Sequence, residues 1–298
     1  MRNKRITYVL LTLSAVFWGA NFNAGQIAIQ VMSPIQVAAW RFLIAGVCMF
    51  TIYLIKERPS WSTVKADLLI HVLMGVSGIF VMNILLFEGL QDTNALYTSL
   101  ISSTSPFLTL LLSVLVLRER LIPRQMAGFV VSLIGVWLVL TNGSLLELES
   151  VSYGALYVLL AAFLWAIYGI LGRKYIRSSS PLATTATTML VGSICYLPFI
   201  AFQVNTVGSV SPVSAWMSVL FMSLFCTVLA YLWWNEGIAA IGVNRTSMFF
   251  NIVPISTLTI SAFSGDKIQL FQIVGVLSVV TGIVLTIGTQ ETRTNSTT

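Results

Sequence analysis

Charged residues are scarce in this chain of 298 residues. They make up only 9% of the positions, whereas hydrophobic residues make up 57%, and the mean hydropathy is +0.90. A soluble domain carries about a quarter charged residues, so the composition excludes an ordinary soluble fold. The apolar runs continue for roughly 20 residues instead of alternating with period two, which favours helices over a membrane barrel. The sequence therefore predicts an all-α membrane protein.

Residues that usually carry chemistry are also few. The chain has one histidine and three cysteines, and Cys48, Cys195 and Cys226 all lie inside apolar stretches. This pattern excludes a disulfide framework, a CxxC metal site and the usual sites with several histidines. The ATP-binding pattern GxxxxGK is missing too. We therefore expect no metal, no cofactor and no catalytic residues, and the net charge of +6 does not indicate a nucleic-acid partner because of where the charges lie.

Ten apolar segments separated by polar breaks are predicted to cross the membrane as helices. They cover residues 7–28, 34–55, 68–88, 94–117, 123–141, 153–172, 181–203, 213–235, 243–264 and 268–288. The orientation follows from the rule that cytoplasmic loops are rich in Lys and Arg. With the N-terminus inside, 14 of the 16 basic residues fall on the cytoplasmic side. We therefore expect a multi-pass protein of the inner or plasma membrane with both termini cytoplasmic, and the lipid bilayer as a partner.

An internal repeat appears when the chain is shifted by about 147 residues. Seven landmarks recur in the same order, which is the pattern of a duplicated unit. They are Trp18 and Trp165, Pro34 and Pro181, Glu88-Gly89 and Glu236-Gly237, Pro106 and Pro254, Gln125 and Gln272, Gly128 and Gly275, and Gly135 and Gly282. The predicted domains are residues 1–144 and 145–298, the second ending in a short cytoplasmic tail. Five helices in each half force the second half to be inverted, an architecture that recurs in transporters.

Four stretches of the first half resemble the EamA family of the drug/metabolite transporter superfamily. They are SAVFWGANF at 14–22, SPIQVAAWRFLIA at 33–45, the stretch from EGLQDTNALY to LRERL at 88–121, and QMAGFVVSLIGVWLVL at 125–140. The second half echoes them more loosely, so the resemblance covers nearly the whole chain. It implies a carrier with ten helices, and its members export amino acids, metabolites or toxic organic compounds by alternating access.

Polar or amphipathic residues at matching positions of the two halves are the candidates for substrate contact. The shift relates Trp18, Asn21, Asn83, Ser99 and Ser103 to Trp165, Tyr168, Tyr231, Ser247 and Asn251. Residues four apart share one helix face, so we expect these faces to converge near the midplane in a cavity for a small-molecule substrate. Packing and an interfacial aromatic belt remain alternative readings of the tryptophans, and a purely structural role remains open for the serines.

Two charges and two prolines complete the candidate site. Arg41 lies about seven residues below a predicted outer break, where it could pair with Glu88, attract a substrate anion or extend to the interface. Both charges are candidates for a charge or coupling role. Pro106 and Pro254 remove a backbone hydrogen bond at matching positions, which predicts a kink in each helix. The small-residue seams, such as Gly128 and Gly135, indicate close helix packing and leave a homo-oligomer open.

These patterns favour a secondary active transporter, with export of a small organic solute such as an amino acid or a related metabolite. The alternative is a membrane-embedded enzyme that acts on a lipid or lipid-linked substrate. Such an enzyme needs a nucleophile or an acid and base inside one cavity, and the sequence shows no such set. We therefore predict that the protein is not an enzyme.

Overall fold

The computed structural model describes residues 4–57, 65–118, 123–140, 152–203, 213–264 and 269–287. These residues form ten helical stretches: α1 Lys4–Ala28, α2 Pro34–Lys56, α3 Leu68–Asp92, α4 Ala95–Leu117, α5 Pro123–Leu140, α6 Tyr153–Tyr175, α7 Pro181–Gln203, α8 Val213–Ile241, α9 Val243–Phe263 and α10 Leu270–Ile287. The predicted domain junction at 144–145 and the C-terminal tail lie outside the described residues.

Eight of these helices are long and apolar enough to cross a membrane, namely α1 to α4 and α6 to α9. Within the described residues, α5 and α10 are not among them, so ten crossings remain a prediction. The distribution of side chains is that of a protein in lipid. Large apolar residues such as Val47, Ile55 and Phe263 point outward, while hydroxyl and amide residues are buried between the helices. Because lipid offers no hydrogen bonds, polar groups are best satisfied inside the bundle.

Short capped turns join the helices at the end of the bundle that the charge pattern predicts to be external. The hydroxyl of Ser33 accepts a bond from the Gln36 N–H at 3.4 Å, and the Gln36 side chain accepts from the Ser33 N–H at 3.0 Å. The side chain of Asn94 caps α4 in the same way, accepting from the Tyr97 N–H at 3.0 Å. These caps satisfy backbone donors that the first helical turn leaves free. We call this end the outer end and the opposite end the inner end.

Four helices are irregular, and the irregularities occur at corresponding places in the two halves. A π-helical stretch covers Gly75–Val81 in α3, and another covers Met222–Leu229 in α8. The helix α4 is interrupted at Ser103 and Thr104, while α9 contains a 3-10 turn at Phe249–Asn251. Such local departures from α-helix are frequent at functional sites.

The helix contacts also come in matching pairs. Helix α1 packs against α8 and α9 of the second half, and α6 packs against α3 and α4 of the first. Helix α2 packs against α7, and α5 packs against α10. A Cβ atom added to Gly135 of α5 would lie 2.6 Å from the Gly275 carbonyl oxygen of α10, so the absence of a side chain allows this close approach. The arrangement leaves the centre of the bundle to be lined by α1, α2, α3, α4, α6, α8 and α9.

Candidate substrate cavity

A cavity lies at the centre of the bundle, on the outer-end side of the midpoints of α1 to α4 and near the midpoints of α6, α8 and α9. It contains about 450 Å³ of unfilled space, counting its open mouth. We call it the outer cavity. Its wall consists of Trp18, Asn21, Phe22, Arg41, Met82, Asn83, Leu86, Ser102, Ser105, Ala161, Ala162, Trp165, Tyr231 and Phe250. The size and the mostly apolar wall with a few polar groups are typical of a pocket for a small molecule.

Arg41 is the only charged residue among the described residues of that wall, and its side chain is held by both halves of the chain. Its Nε donates to the Thr227 hydroxyl at 2.7 Å, and its Nη1 lies 3.5 Å from Asn83 Oδ1. The guanidinium also lies over the ring of Phe42, 4.9 Å from the centroid, and 5.9 Å from that of Phe87. Thr227 belongs to the π-helical stretch of α8, which places its hydroxyl at this point. All of these neighbours are uncharged, and Arg41 is 2% exposed.

A second polar group in the wall is left without a partner. The carbonyl oxygen of the Asn21 side chain is buried and accepts no hydrogen bond from the described residues. Asn83, by contrast, uses both ends of its amide, since its Nδ2 donates to the Ile79 carbonyl at 3.0 Å and its Oδ1 faces Arg41. A buried acceptor without a donor is costly, and the described residues leave the Asn21 oxygen unsatisfied.

Aromatic rings close the inner side of this cavity. Trp18 lies edge-on to Trp165 with ring centroids 5.3 Å apart, and Trp165 stacks on Tyr168 at 5.2 Å. We call the set Trp18, Trp165, Tyr168, Tyr231, Trp234 and Phe250 the aromatic barrier. The indole N–H of Trp18 donates to the Cys226 carbonyl at 2.8 Å, which fixes one ring of the barrier across the two halves. Trp18 is 5% exposed and lies deep in the bundle, so it is not a residue of the interfacial belt.

A second cavity lies on the inner side of the barrier, between the end of α6, the start of α7 and the end of α8. It contains about 620 Å³ of unfilled space, counting its opening, and its wall includes Arg173, Thr184 and Asn235. We call it the inner cavity. The side-chain nitrogen of Asn235 donates to the Tyr168 hydroxyl at 2.9 Å and to the Thr185 hydroxyl at 2.8 Å. The stacked rings of Trp165 and Tyr168 and this hydrogen bond therefore stand between the two cavities.

Hydrogen bonds at the inner end tie the first half to the segment between α6 and α7. The carboxylate of Asp67 accepts from the backbone N–H groups of Arg177, Ser178 and Ser179 at 3.3, 2.9 and 2.8 Å. Burial by itself raises the pKa of Asp67, but these N–H groups outweigh it and hold the pKa below its ordinary value. We call this cluster the Asp67 latch.

The structure divides the residues that the sequence singled out. Six of them form the wall of the outer cavity: Trp18, Asn21, Arg41, Asn83, Trp165 and Tyr231. Tyr168 is fully buried in the aromatic barrier, beneath the wall.

The four polar residues of α4 and α9 are not among the wall residues, and their side chains bond to their own helices. The hydroxyl of Ser99 donates to the Leu96 carbonyl at 2.8 Å, and that of Ser103 to the Ser99 carbonyl at 2.9 Å. In α9, the Ser247 hydroxyl donates to the Asn244 carbonyl at 2.9 Å, and Asn251 Nδ2 donates to the Met248 carbonyl at 2.6 Å. Such local bonds suit an interrupted helix, whose backbone needs extra partners.

Neighbouring positions of α4 and α9 supply the wall instead. Ser102 and Ser105 of α4 face it, and the hydroxyl of Ser105 lies 3.4 Å from the Ala162 carbonyl of α6. Phe250 of α9 faces it from the second half. Residues four apart share one helix face, but the sequence does not tell which face turns inward.

The remaining candidates, Glu88, Pro106 and Pro254, are not among the wall residues of the outer cavity. Glu88 is half-buried on α3, one turn from Asp92, and within the described residues it does not form an ion pair with Arg41, whose partners are neutral. Pro106 lies in the first turn of the second segment of α4, Ser105–Leu117, directly after the interruption. Pro254 lies just after the 3-10 turn of α9, in Ile252–Phe263. Each proline thus follows the irregular point, as expected of a residue that fits a first helical turn.

Two residues that hold the site together were missed by the sequence comparison. Thr227 binds Arg41 and Asn235 binds Tyr168, but the repeat relates them to Ile79 and Phe87, which are apolar. A search for positions that are polar in both halves therefore passes over them. A lone amide or hydroxyl side chain inside an apolar helix would have identified them, because such a group needs a buried hydrogen-bond partner.

The chain matches known proteins over nearly its whole length. A family model described as the EamA-like transporter family matches twice, at residues 5–141 and 152–288. An "Uncharacterized transporter YyaM" of Bacillus subtilis (strain 168) is 36% identical over 284 residues, which cover 94% of this chain and 93% of that protein. A "Probable amino-acid metabolite efflux pump" of Escherichia coli (strain K12) is 25% identical over 289 residues, which cover 94% of both.

One solved crystal structure is similar in fold. It superposes with a TM-score of 0.71 over 98% of this chain and 99% of the other, at 20% sequence identity. At that identity the likeness shows the fold alone.

Proposed function

Because this chain belongs to the EamA-like transporter family, we propose that it is a secondary active transporter that exports a small organic solute, such as an amino acid or a related metabolite. The observation that carries the proposal is the aromatic barrier between two cavities. In this proposal, a solute that passes from the inner cavity to the outer cavity requires Trp165 and Tyr168 to separate from their neighbours, which lie between the two walls. The names of the relatives are those of transporters and of an efflux pump, which favours transport over the lipid-acting enzyme.

The proposed architecture is ten membrane helices in two inverted repeats, residues 1–144 and 145–298, with both termini in the cytoplasm. The matching irregularities in α3 and α8, and in α4 and α9, support the repeat. The packing of α1 on α8 and of α6 on α3 supports a pseudo-two-fold relation. In such carriers the two states arise when one repeat moves against the other around a fixed site.

The proposed substrate contacts are the six wall residues named above, with Arg41 as the charged group. Ser99, Ser103, Ser247 and Asn251 are assigned to the interrupted helices instead, where their bonds stabilise the bends. Tyr168 is assigned to the barrier. Energy is proposed to come from an ion or solute gradient, since the sequence lacks the GxxxxGK pattern.

Proteoliposomes provide the test of transport. Purified protein is reconstituted, and the movement of labelled amino acids is followed with and without imposed pH and sodium gradients. We expect movement that depends on a gradient and saturates with solute concentration. Equal movement in liposomes without protein, or chemical conversion of a lipid in detergent without a gradient, would contradict the proposal.

Thiol labelling provides the test of alternating access. Single cysteines are introduced as Asn21→Cys in the outer cavity and Ala239→Cys in the inner cavity, after replacement of the native cysteines. A transported solute is expected to change the two labelling rates in opposite directions. Val47→Cys, on a lipid-facing surface, is the matched control and should not respond. Parallel changes at residues 21 and 239 would rule out a barrier that opens one side at a time.

A further inference from the structure

The single histidine of the chain is buried without a hydrogen-bond partner. His71 lies in the first turn of α3 and is 0% exposed. Neither of its ring nitrogens has a partner among the described residues. A neutral imidazole carries one donor and one acceptor, and burying both without partners is costly. Packing alone therefore does not explain a histidine at this position.

Asp67 lies one helical turn before His71. The His71 backbone N–H donates to the Asp67 carbonyl at 2.9 Å, which places the two residues next to each other along α3. Asp67 is the N-cap residue of α3, but its carboxylate makes no capping bond to this helix. Both carboxylate oxygens instead accept from the N–H groups of the Asp67 latch. The carboxylate thus holds the segment between α6 and α7 and leaves His71 without a partner.

Protonation of His71 would change this balance. An imidazolium has two N–H donors and a positive charge, and burying a charge without a counter-charge is costly. Opposite charges four residues apart on a helix attract each other. Because neither ring nitrogen bonds to the carboxylate in this structure, such a bond requires the carboxylate to turn away from the latch. A proton on His71 therefore competes with the N–H groups of residues 177–179 for the same carboxylate.

The other titratable groups around the start of α3 leave Asp67 as the counter-charge. The helices that pack against this part of α3 are α6 and α7. Titratable or charged side chains on them and on the adjoining chain ends are Lys56, Glu57, Lys65, Tyr153, Tyr157, Tyr168, Arg173, Lys174, Tyr175, Arg177, Cys195 and Tyr196. Glu57 is the other carboxylate of this set, and its two oxygens accept from the Ser180 hydroxyl at 2.8 and 2.7 Å. The Lys174 ammonium donates to the Val116 carbonyl at 3.0 Å, and the electrostatic interaction of the imidazole is with Asp67.

The latch segment also forms part of the inner cavity. Ser179 and Pro181 are wall residues of that cavity, and the Ser179 N–H is one of the three donors that Asp67 binds. Release of the carboxylate frees these donors on the segment that joins α6 to α7. A proton on His71 is therefore linked to the shape of the inner cavity.

We propose that His71 and Asp67 form a proton-operated switch at the inner end, which opens the Asp67 latch when the imidazole binds a proton. In the protonated state the Asp67 carboxylate pairs with the imidazolium, and the N–H groups of residues 177–179 are released. In the neutral state the latch is closed, as in this structure. The inference goes beyond the proposed transport function, because the switch acts on the inner end whichever solute is carried.

The motion of the latch segment is the direct readout. Ser178→Cys, at an exposed position of that segment, carries a nitroxide spin label in the purified full-length protein after replacement of the native cysteines. The spectrum is recorded between about pH 8 and pH 5.5, where an imidazole changes its charge. Asp67 stays ionised over this range, because its N–H partners hold its pKa below the ordinary value. We expect the ratio of mobile to immobile label to rise about tenfold on acidification.

A label at the other end of α6 is the matched control. Tyr153→Cys lies at the outer end of that helix, where the tyrosine is 80% exposed, and its label should not respond to pH. A constant ratio at residue 178, or an equal rise at residues 153 and 178, would overturn the switch. The measurement needs no transported solute, so its result does not depend on whether the protein is a transporter.

Two variants assign the switch to its two residues. His71→Leu removes the titrating group without breaking a hydrogen bond to the described residues, and its label at residue 178 should stay immobile over the whole range. His71→Gln, which is also neutral, gives the same test if the leucine variant does not fold. Asp67→Asn lacks the carboxylate, so its label should already be more mobile than in the wild type at about pH 8 and change little on acidification. A pH response that persists in both His71 variants or in Asp67→Asn would overturn the pairing of these two residues.

Discussion

The two repeats place different side chains at matching positions around the centre of the bundle. In the first half, Asn21, Arg41 and Asn83 face open space in the outer cavity. The repeat relates Asn21 to Tyr168, which is buried in the aromatic barrier, and Arg41 to Thr188, which is also buried. The difference shows that duplication conserved the backbone more strictly than the side chains. Arg41 is on the first repeat, and Tyr168 of the aromatic barrier is on the second.

A conserved backbone with diverged side chains has a consequence for the transport cycle. Inverted repeats allow the two halves to exchange conformations. In the proposed alternating-access cycle we expect two states that are not chemically equal, because the cation stays on α2 and the stacked rings of Trp165 and Tyr168 stay on α6. We expect that closure of the aromatic barrier toward the inner end depends on hydrogen bonds such as that between Asn235 and Tyr168.

The largest effect is expected when one residue of the first repeat is replaced by the residue at the matching position of the second repeat. A Cβ atom at Gly78 would lie 2.5 Å from Tyr168 Cδ2, and the corresponding residue of the other half is Cys226. Gly78→Cys is expected to displace the Tyr168 ring and to lower the free energy of unfolding by up to about 3 kcal/mol. Thermal unfolding in detergent measures it. The control Val76→Cys, on the lipid-facing side of the same helix, should unfold like the wild type; equal losses in both would mean that the ring is not packed on Gly78.

Weakening the Asp67 latch should have an intermediate effect. Asp67→Asn keeps the shape of the side chain but replaces charge-assisted bonds to three backbone N–H groups, at an expected cost of about 2 kcal/mol. Because the pKa of Asp67 is lowered in the folded protein, the carboxylate stabilises the fold above its unfolded pKa, and this contribution is lost as the pH falls through the folded pKa.

The pH dependence makes the Asp67 prediction specific. The wild type should unfold at a higher temperature than Asp67→Asn at neutral pH, and the difference should shrink on acidification. Asp92→Asn, an exposed carboxylate at the outer end, is the control and should change little at any pH. A difference that does not depend on pH would show that the charge of Asp67 is not what holds the segment.

Removing one hydroxyl from the barrier should have the smallest effect. Tyr168→Phe deletes the acceptor of the Asn235 bond at 2.9 Å and leaves the ring stacked on Trp165. Loss of this hydrogen bond is expected to destabilise the state with the closed barrier by about 1 kcal/mol. This corresponds to about fivefold faster labelling of a cysteine at residue 21 from the inner side. Tyr157→Phe, on the exposed face of the same helix, is the control. Unchanged labelling in Tyr168→Phe would mean that the hydrogen bond does not limit opening.

The fold class followed from the sequence because few physical solutions exist for such a composition. Long apolar runs in a chain with 9% charged residues require helices in lipid, and eight of them are long enough to cross it. The sequence left an interfacial belt open for Trp18 and Trp165, and the helix packing places both rings in the wall of the outer cavity. The choice among serines did not follow, because a rotation of one residue decides whether Ser102 or Ser103 faces the cavity.

The sequence by itself determined the class of protein, the repeat and the presence of one intramembrane cation, because hydrophobicity, periodicity and charge are properties of the chain alone. Only the tertiary structure decided which partners those groups meet. Arg41 lies beside Thr227 and not beside Glu88 because the π-helical stretch of α8 turns that hydroxyl toward α2. Contacts of this kind join residues 186 positions apart, and their geometry depends on how the two halves pack, which a local pattern does not specify.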